Sequence, residues 1–114
     1  MAYLRQTPGT DKALARLRRE VSERYGIATT LGYGPRFLHS TGQLHKGGPA
    51  TGLFLQITVD HETDIQIPGV PYTFGTVANA QALGDYQALQ LLGRNVIRVH
   101  LGKSHEEDIL KLVA

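Results

Sequence analysis

Cysteine and tryptophan are absent from these 114 residues, and methionine occurs once. Without cysteine there can be neither disulfides nor thiolate metal sites, and the redox compartment stays undetermined. Charge of one sign is also lacking: 12 Lys and Arg stand against 10 Asp and Glu, a formal balance of +2. A nucleic-acid-binding domain would gather its basic residues on one face, whereas most of these alternate with acids over 12–24, as on a solvated helix. No apolar run approaches the length of a membrane span, and no apolar signal-peptide core stands at the N-terminus. A soluble, cytoplasmic protein without nucleic-acid or membrane partners is therefore expected. Internal repeats, low-complexity tracts and linkers are missing as well. The 41% hydrophobic content fits one compact domain, residues 1–114.

What is present is a regular alternation of strand-like and helix-like stretches. Ala2–Arg5 is a short strand candidate ended by the Thr7-Pro8-Gly9 turn signal. Thr10 or Asp11 can cap a helix running to Gly26, with Leu14, Leu17, Val21 and Tyr25 as its apolar stripe. Ile27–Leu31 reads as a strand entering a polar loop, and Leu53–Val59 as a central strand apolar on both faces. Asp60–Asp64 is a turn and Ile65–Ile67 a short extended piece. From Thr76 a helix carries Val77, Ala80, Gly84, Ala88 and Leu91 along one stripe, and Gly84 suggests close packing there. Asp85 and Tyr86 fall on its solvated side. Val96–Leu101 is another strand, and Ser104 with Glu107 forms a capping box for a last helix with Ile109, Leu110 and Val113. This order predicts an α/β layer fold with a small, mostly parallel sheet flanked by helices.

Between Gly32 and Gly52 lie six of the thirteen glycines, and among them Arg36, His39, Ser40, Thr41, Gln43, His45, Lys46 and Thr51. Glycine lets backbone N–H groups turn toward an anion, and loops on rigid scaffolds often carry sites. In parallel sheets ligands bind beyond the carboxyl ends of strands, where a loop following Ile27–Leu31 would lie. Neither a Walker loop nor a dinucleotide fingerprint is present, so no nucleotide cofactor is implied. The six-residue spacing of His39 and His45 is not that of a helical metal pair, and no metal is expected. His45 can serve as an acid/base group, since imidazole titrates near neutrality. Arg36 can clamp a phosphate or form a surface ion pair. Tyr72 and Phe74 suit a pocket wall or the core, His61 and His105 surface turns, and His100 a satisfied, partly buried strand histidine.

The stretches GYGPRFLHSTGQLHKGGPATGLFLQIT, AYLRQTP, IPGVPYTFGTVANAQALGDYQAL and VIRVHLG together resemble the C-terminal end of bifunctional transaldolase/phosphoglucose isomerase proteins. The resemblance implies part of the glucose-6-phosphate isomerase half, on a SIS-like (flavodoxin-type) fold, without cofactor or metal. Such an isomerase interconverts glucose 6-phosphate and fructose 6-phosphate through an enediol. Ser40-Thr41-Gly42-Gln43-Leu44-His45 is similar to the stretch carrying the ring-opening histidine, which gives that role to His45. His39 stays a rival because of the one-residue offset at Leu44. Arg36, His39, Ser40, Thr41, Gln43 and Lys46 are the implied substrate contacts. The family's glutamate base, in an M-E-S-x-G-K stretch, has no counterpart here. Together with the abrupt strand at the N-terminus, this makes a C-terminal domain or fragment that is inactive alone the expectation. Its implied partners are the sugar phosphate and the remainder of the parent isomerase or transaldolase chain, with a homo-oligomer left open. A non-catalytic sugar-phosphate-binding or docking module is the alternative.

Overall fold

The structure is a computed structural model and describes residues 1–103 and 105–114. Ala2–Tyr3 forms β1, Leu53–Val59 forms β2 and Asn95–Leu101 forms β3. The strands pair parallel in that order, and β2 and β3 are matched along their whole length, from Leu53 opposite Asn95 to Val59 opposite Leu101. On its other edge β1 meets the 32–34 segment, where Ala2 N donates to Gly32 O and Gly34 N donates to Ala2 O, both at 2.9 Å. That contact is a parallel bridge at Tyr33, not the strand expected over 27–31. The 27–30 stretch instead lies along the first helix, where Arg18 donates to Thr29 O and Ser22 to Ile27 O. Short β-branched runs read as strands only if a neighbour accepts their backbone, and here side chains took that role.

The first helix, α1, spans Pro8–Tyr25. Thr7, not Thr10, caps it: Thr7 Oγ1 accepts from Thr10 N at 3.1 Å, and Thr10 Oγ1 accepts from Thr7 N at 2.8 Å. This reciprocal pair satisfies two donors that a helix start otherwise leaves bare, and Pro8 sits where its missing N–H costs nothing. Gly26 ends the helix in a left-handed conformation with φ of 64°. Leu14 and Leu17 are buried and Val21 is partly so, but Tyr25 swings out of the stripe into solvent.

Within the expected polar loop the chain forms a 3₁₀ turn, Arg36–His39, and a one-and-a-half-turn helix, α2, over Gly42–Gly47. A longer helix, α3, follows over Phe74–Leu91, capped by Thr73 Oγ1 on Thr76 N. The final helix, α4, covers His105–Lys111. Ser104, its expected cap, lies outside the described residues.

The pleat separates two faces. Ala2, Ile57, Val59 and Leu101 project with Leu4 into one core shared with Ala13, Leu14 and Leu17 of α1 and Ile109 of α4. Tyr3, with Gln56 and Thr58 between the apolar positions of β2, turns to the other face, under α3 and the 36–47 segment. The chain thus runs outward from β1 through α1 to the Tyr33 edge, then back across β1 to β2. Crossovers that run in opposite directions place the two sets of helices on opposite faces, as in a flavodoxin-like sheet. Among the described residues no helix is long and apolar enough to cross a membrane.

Candidate functional site

The face under α3 is unusual in what it buries. The buried stripe of α3 is Gly75, Ala82, Asp85 and Leu89, not the expected one; Leu91 is 89% exposed and Gly84 faces open space. The helix is so rich in alanine that its sides look alike, and the sheet takes the one that bears Gly75, Ala82 and Leu89. Asp85 therefore moves from an expected solvated face to the interior, its side chain 1% exposed. Lys46 of α2 reaches it with Nζ 3.1 Å from Oδ1, an ion contact without the alignment of a hydrogen bond. Gln56 Nε2 donates to Ala82 O at 2.9 Å, one turn before Asp85.

His45 stands beside this pair in a row of rings. Its centroid lies 4.9 Å from Phe54 and 5.8 Å from Phe37, which in turn meets Tyr3 edge-on at 5.6 Å. Burial pushes the His45 imidazole below its ordinary value; Asp85 pulls the other way, and the Met1 amine and Lys46 add to the depression. Burial likewise takes the Met1 amine, which donates to Leu55 O, from 8.0 down to about 6. The Tyr3 phenol is pushed up by burial and by the charge of Asp85. Tyr3 Oη, His45 Nδ1, Gln56 Oε1, both Asp85 oxygens and Arg94 Nε are buried without a hydrogen-bond partner. Buried polar atoms are nearly always satisfied, so this face is costlier to bury than an apolar one.

The sequence-derived residues divide into two groups. His45 and Lys46 join the polar layer, Lys46 already engaged by Asp85. Arg36, His39, Ser40, Thr41 and Gln43 are exposed along the 3₁₀ turn and α2. Arg36 lies at the carboxyl end of β1, where it donates to Gln6 Oε1 at 2.8 Å. Gln6 in turn reaches Asp11, and Asp11 accepts from Tyr33 Oη at 2.6 Å. By Gly48 the segment has crossed to the start of β3, where Arg94 donates to Lys46 O and Gly48 O. It lies across a sheet face, and only its beginning stands at the carboxyl edge where a loop site was expected.

Tyr3 and Arg94 were not singled out by sequence and Asp85 was expected on a solvated helix face, although Gln56 inside an apolar strand was a signal that this face is polar. The carboxyl edge itself offers a groove of about 270 Å³ lined by Arg5, His61, Thr63, Asp64, Phe74 and Gly75, among others. Asp64 already occupies the start of α3 there, accepting from Gly75 N at 2.8 Å and Thr73 Oγ1 at 2.6 Å. These bonds lower its pKa, the Thr73 hydroxyl foremost, so a second anion at that helix end would meet a standing negative charge. His100 is bonded through both nitrogens, to Thr58 Oγ1 at 2.8 Å and Asp60 Oδ1 at 2.9 Å, so it is satisfied as expected. Its side chain, however, is 55% exposed rather than partly buried, because it stands on β3 at the sheet's open edge. Thr58 is buried, which leaves this Thr–His–Asp row no reachable nucleophile. Tyr72 and Phe74 are exposed rather than in the core. Among the described residues no cluster of three or more His, Asp or Glu could hold a metal.

The fold has a solved counterpart. A hypothetical protein from Thermus thermophilus superposes with a TM-score of 0.75 over 87% of this chain, at 20% identity. At that identity the likeness establishes the fold alone, and this chain spans 30% of that protein's length. No protein-family model matches the sequence, and no curated protein matches it significantly. What the chain belongs to is therefore established as an architecture: a small flavodoxin-like α/β domain with three parallel strands.

Proposed function

We propose that this chain is a domain of a sugar-phosphate isomerase of the glucose-6-phosphate isomerase type, contributing His45 to a composite site. The observation that carries the reading is the environment of His45. A half-buried imidazole with a lowered pKa is neutral near pH 7, and a neutral imidazole can take the anomeric hydroxyl proton as a sugar ring opens. The exposed donors Arg36, His39, Ser40, Thr41 and Gln43 precede it on the same short segment and suit a phosphate and hydroxyl groups. Lys46 contributes less directly, since Asp85 holds its ammonium.

The carboxylate found near His45 is Asp85, which is buried and paired. Proton transfer between C1 and C2 needs an accessible base, so that base is assigned to residues beyond this chain. The same fact favours a second reading, a sugar-phosphate-binding or docking module with no turnover of its own.

Calorimetric titration of the 114-residue chain with 6-phosphogluconate tests the shared part of both readings. Binding that weakens in Arg36→Ala and in His45→Ala is expected; absence of binding to the wild type removes the sugar-phosphate assignment. A coupled assay for fructose 6-phosphate isomerisation then separates the two. The chain alone should show no turnover, and turnover would contradict the composite site.

A further inference from the structure

The helix that carries His45 has almost nothing apolar to hold it. It is six residues long, too short to be stable by itself. Leu44, its single large apolar residue, is 64% exposed, and only Gly42 is buried. Its seat is made instead by the two residues after Leu44. The His45 ring wedges between Phe37 and Phe54, and Lys46 reaches through to the buried Asp85. Behind them Arg94 donates to Lys46 O at 2.9 Å and to Gly48 O at 2.8 Å, closing carbonyls that the end of a helix leaves open.

An ion pair with one partner buried is a poor source of net stability, because desolvation of the buried charge offsets the attraction. Its best-attested use is to fix one arrangement among several, since no other placement of the chain satisfies the buried charge. Here the arrangement fixed is the depth and rotation of α2 on α3. We propose that Asp85 is a positioning residue: through Lys46, and with Arg94 on the carbonyls behind, it locks α2 so that His45 stays wedged between Phe37 and Phe54. This rests on the reading of His45 as the acid–base group. The charged or titratable groups facing that imidazole are Lys46 from its own helix, Asp85 from α3, and the Met1 amine on the β1 side.

The test is proton–carbon NMR of the His45 ring in the full chain, with Asp85→Asn, Asp85→Glu and Lys46→Met. In the wild type the ring signals should be displaced by the neighbouring phenyl rings, with an ionisation midpoint below that of a free imidazole. Asp85→Asn and Lys46→Met should both lose that displacement and bring the midpoint back toward the free value, while the methyl signals of Leu14 and Ile109 stay in place. Asp85→Glu should recover part of the displacement. If the ring signals keep their displacement in both Asp85→Asn and Lys46→Met, Asp85 does not position His45. Should Asp85→Asn or Lys46→Met fail to fold, the double variant Asp85→Leu with Lys46→Met decides, because it leaves no uncompensated charge under α3; a ring that keeps its displacement there overturns the proposal. Addition of 6-phosphogluconate to the wild type reads the other question separately. His45 signals that ignore it sink the sugar-phosphate reading, whatever the variants show.

Discussion

The two faces of the sheet are built on opposite principles. Under α1 and α4 the contacts are between Ala2, Leu14, Leu17, Ile57, Val59, Leu101 and Ile109, all apolar and closely packed. Under α2 and α3 the buried set includes Gln56, Thr58 and Asp85, with unsatisfied atoms on Tyr3, His45 and Arg94. Apolar burial stabilises in proportion to area without regard to direction, whereas buried polar groups are costly unless a particular geometry satisfies them. The first face therefore holds the domain together, and the second specifies where one short helix lies.

Substitutions on each face should separate these roles. The largest loss is expected for Leu14→Ala or Ile109→Ala, about 2–5 kcal/mol each by urea unfolding, since both are fully buried. A loss below about 1 kcal/mol would mean that this face does not carry the stability. On the polar face, Asp85→Ala should cost less, about 1–3 kcal/mol, because the freed Lys46 can turn toward solvent. The double variant Asp85→Leu with Lys46→Met should unfold within about 1 kcal/mol of the wild type, or later, while His45 loses its fixed place. Thr7→Ala removes the α1 cap and should cost about 1 kcal/mol, with the His45 environment unchanged.

The smallest effect is a pH dependence. Burial depresses the folded pKa of His45 below the unfolded value near 6.5, so below that pH the unfolded chain binds more protons. The stability tied to the neutral ring is fully present above about pH 6.5 and is lost as pH falls from there through the folded pKa. The Met1 amine acts in the same direction between 8.0 and about 6. Comparing urea midpoints at pH 8 and pH 5.5 in the wild type and His45→Gln isolates the histidine, since the amine is common to both. The wild type should lose more than the variant over that interval; equal losses would place His45 in solvent.

The apolar face was readable from the residues. The stripe of α1 follows from periodicity, the strands at 53–59 and 96–101 from their apolar runs and the last helix from its capping signal, and together they imply the parallel layered fold. The polar face was only half readable. Gly32–Gly52 stood out by composition, yet its two short helical turns left no period, because six residues are too few to show one. The stripe of α3 was misplaced because Ala78, Ala80, Ala82 and Ala88 make opposite sides look alike, and with it Asp85 was assigned to solvent. Which stripe is buried is decided by what the sheet presents, here Gln56 and Tyr3. Propensity cannot express that kind of tertiary choice.

The most direct measurement is the ionisation midpoint of the His45 ring in the wild-type chain, by NMR, with and without 6-phosphogluconate. A midpoint below that of a free imidazole, rising when the anionic ligand binds, is the expected result. A midpoint at the free value that the ligand leaves unmoved would contradict both the buried seat of α2 and the sugar-phosphate site built on it.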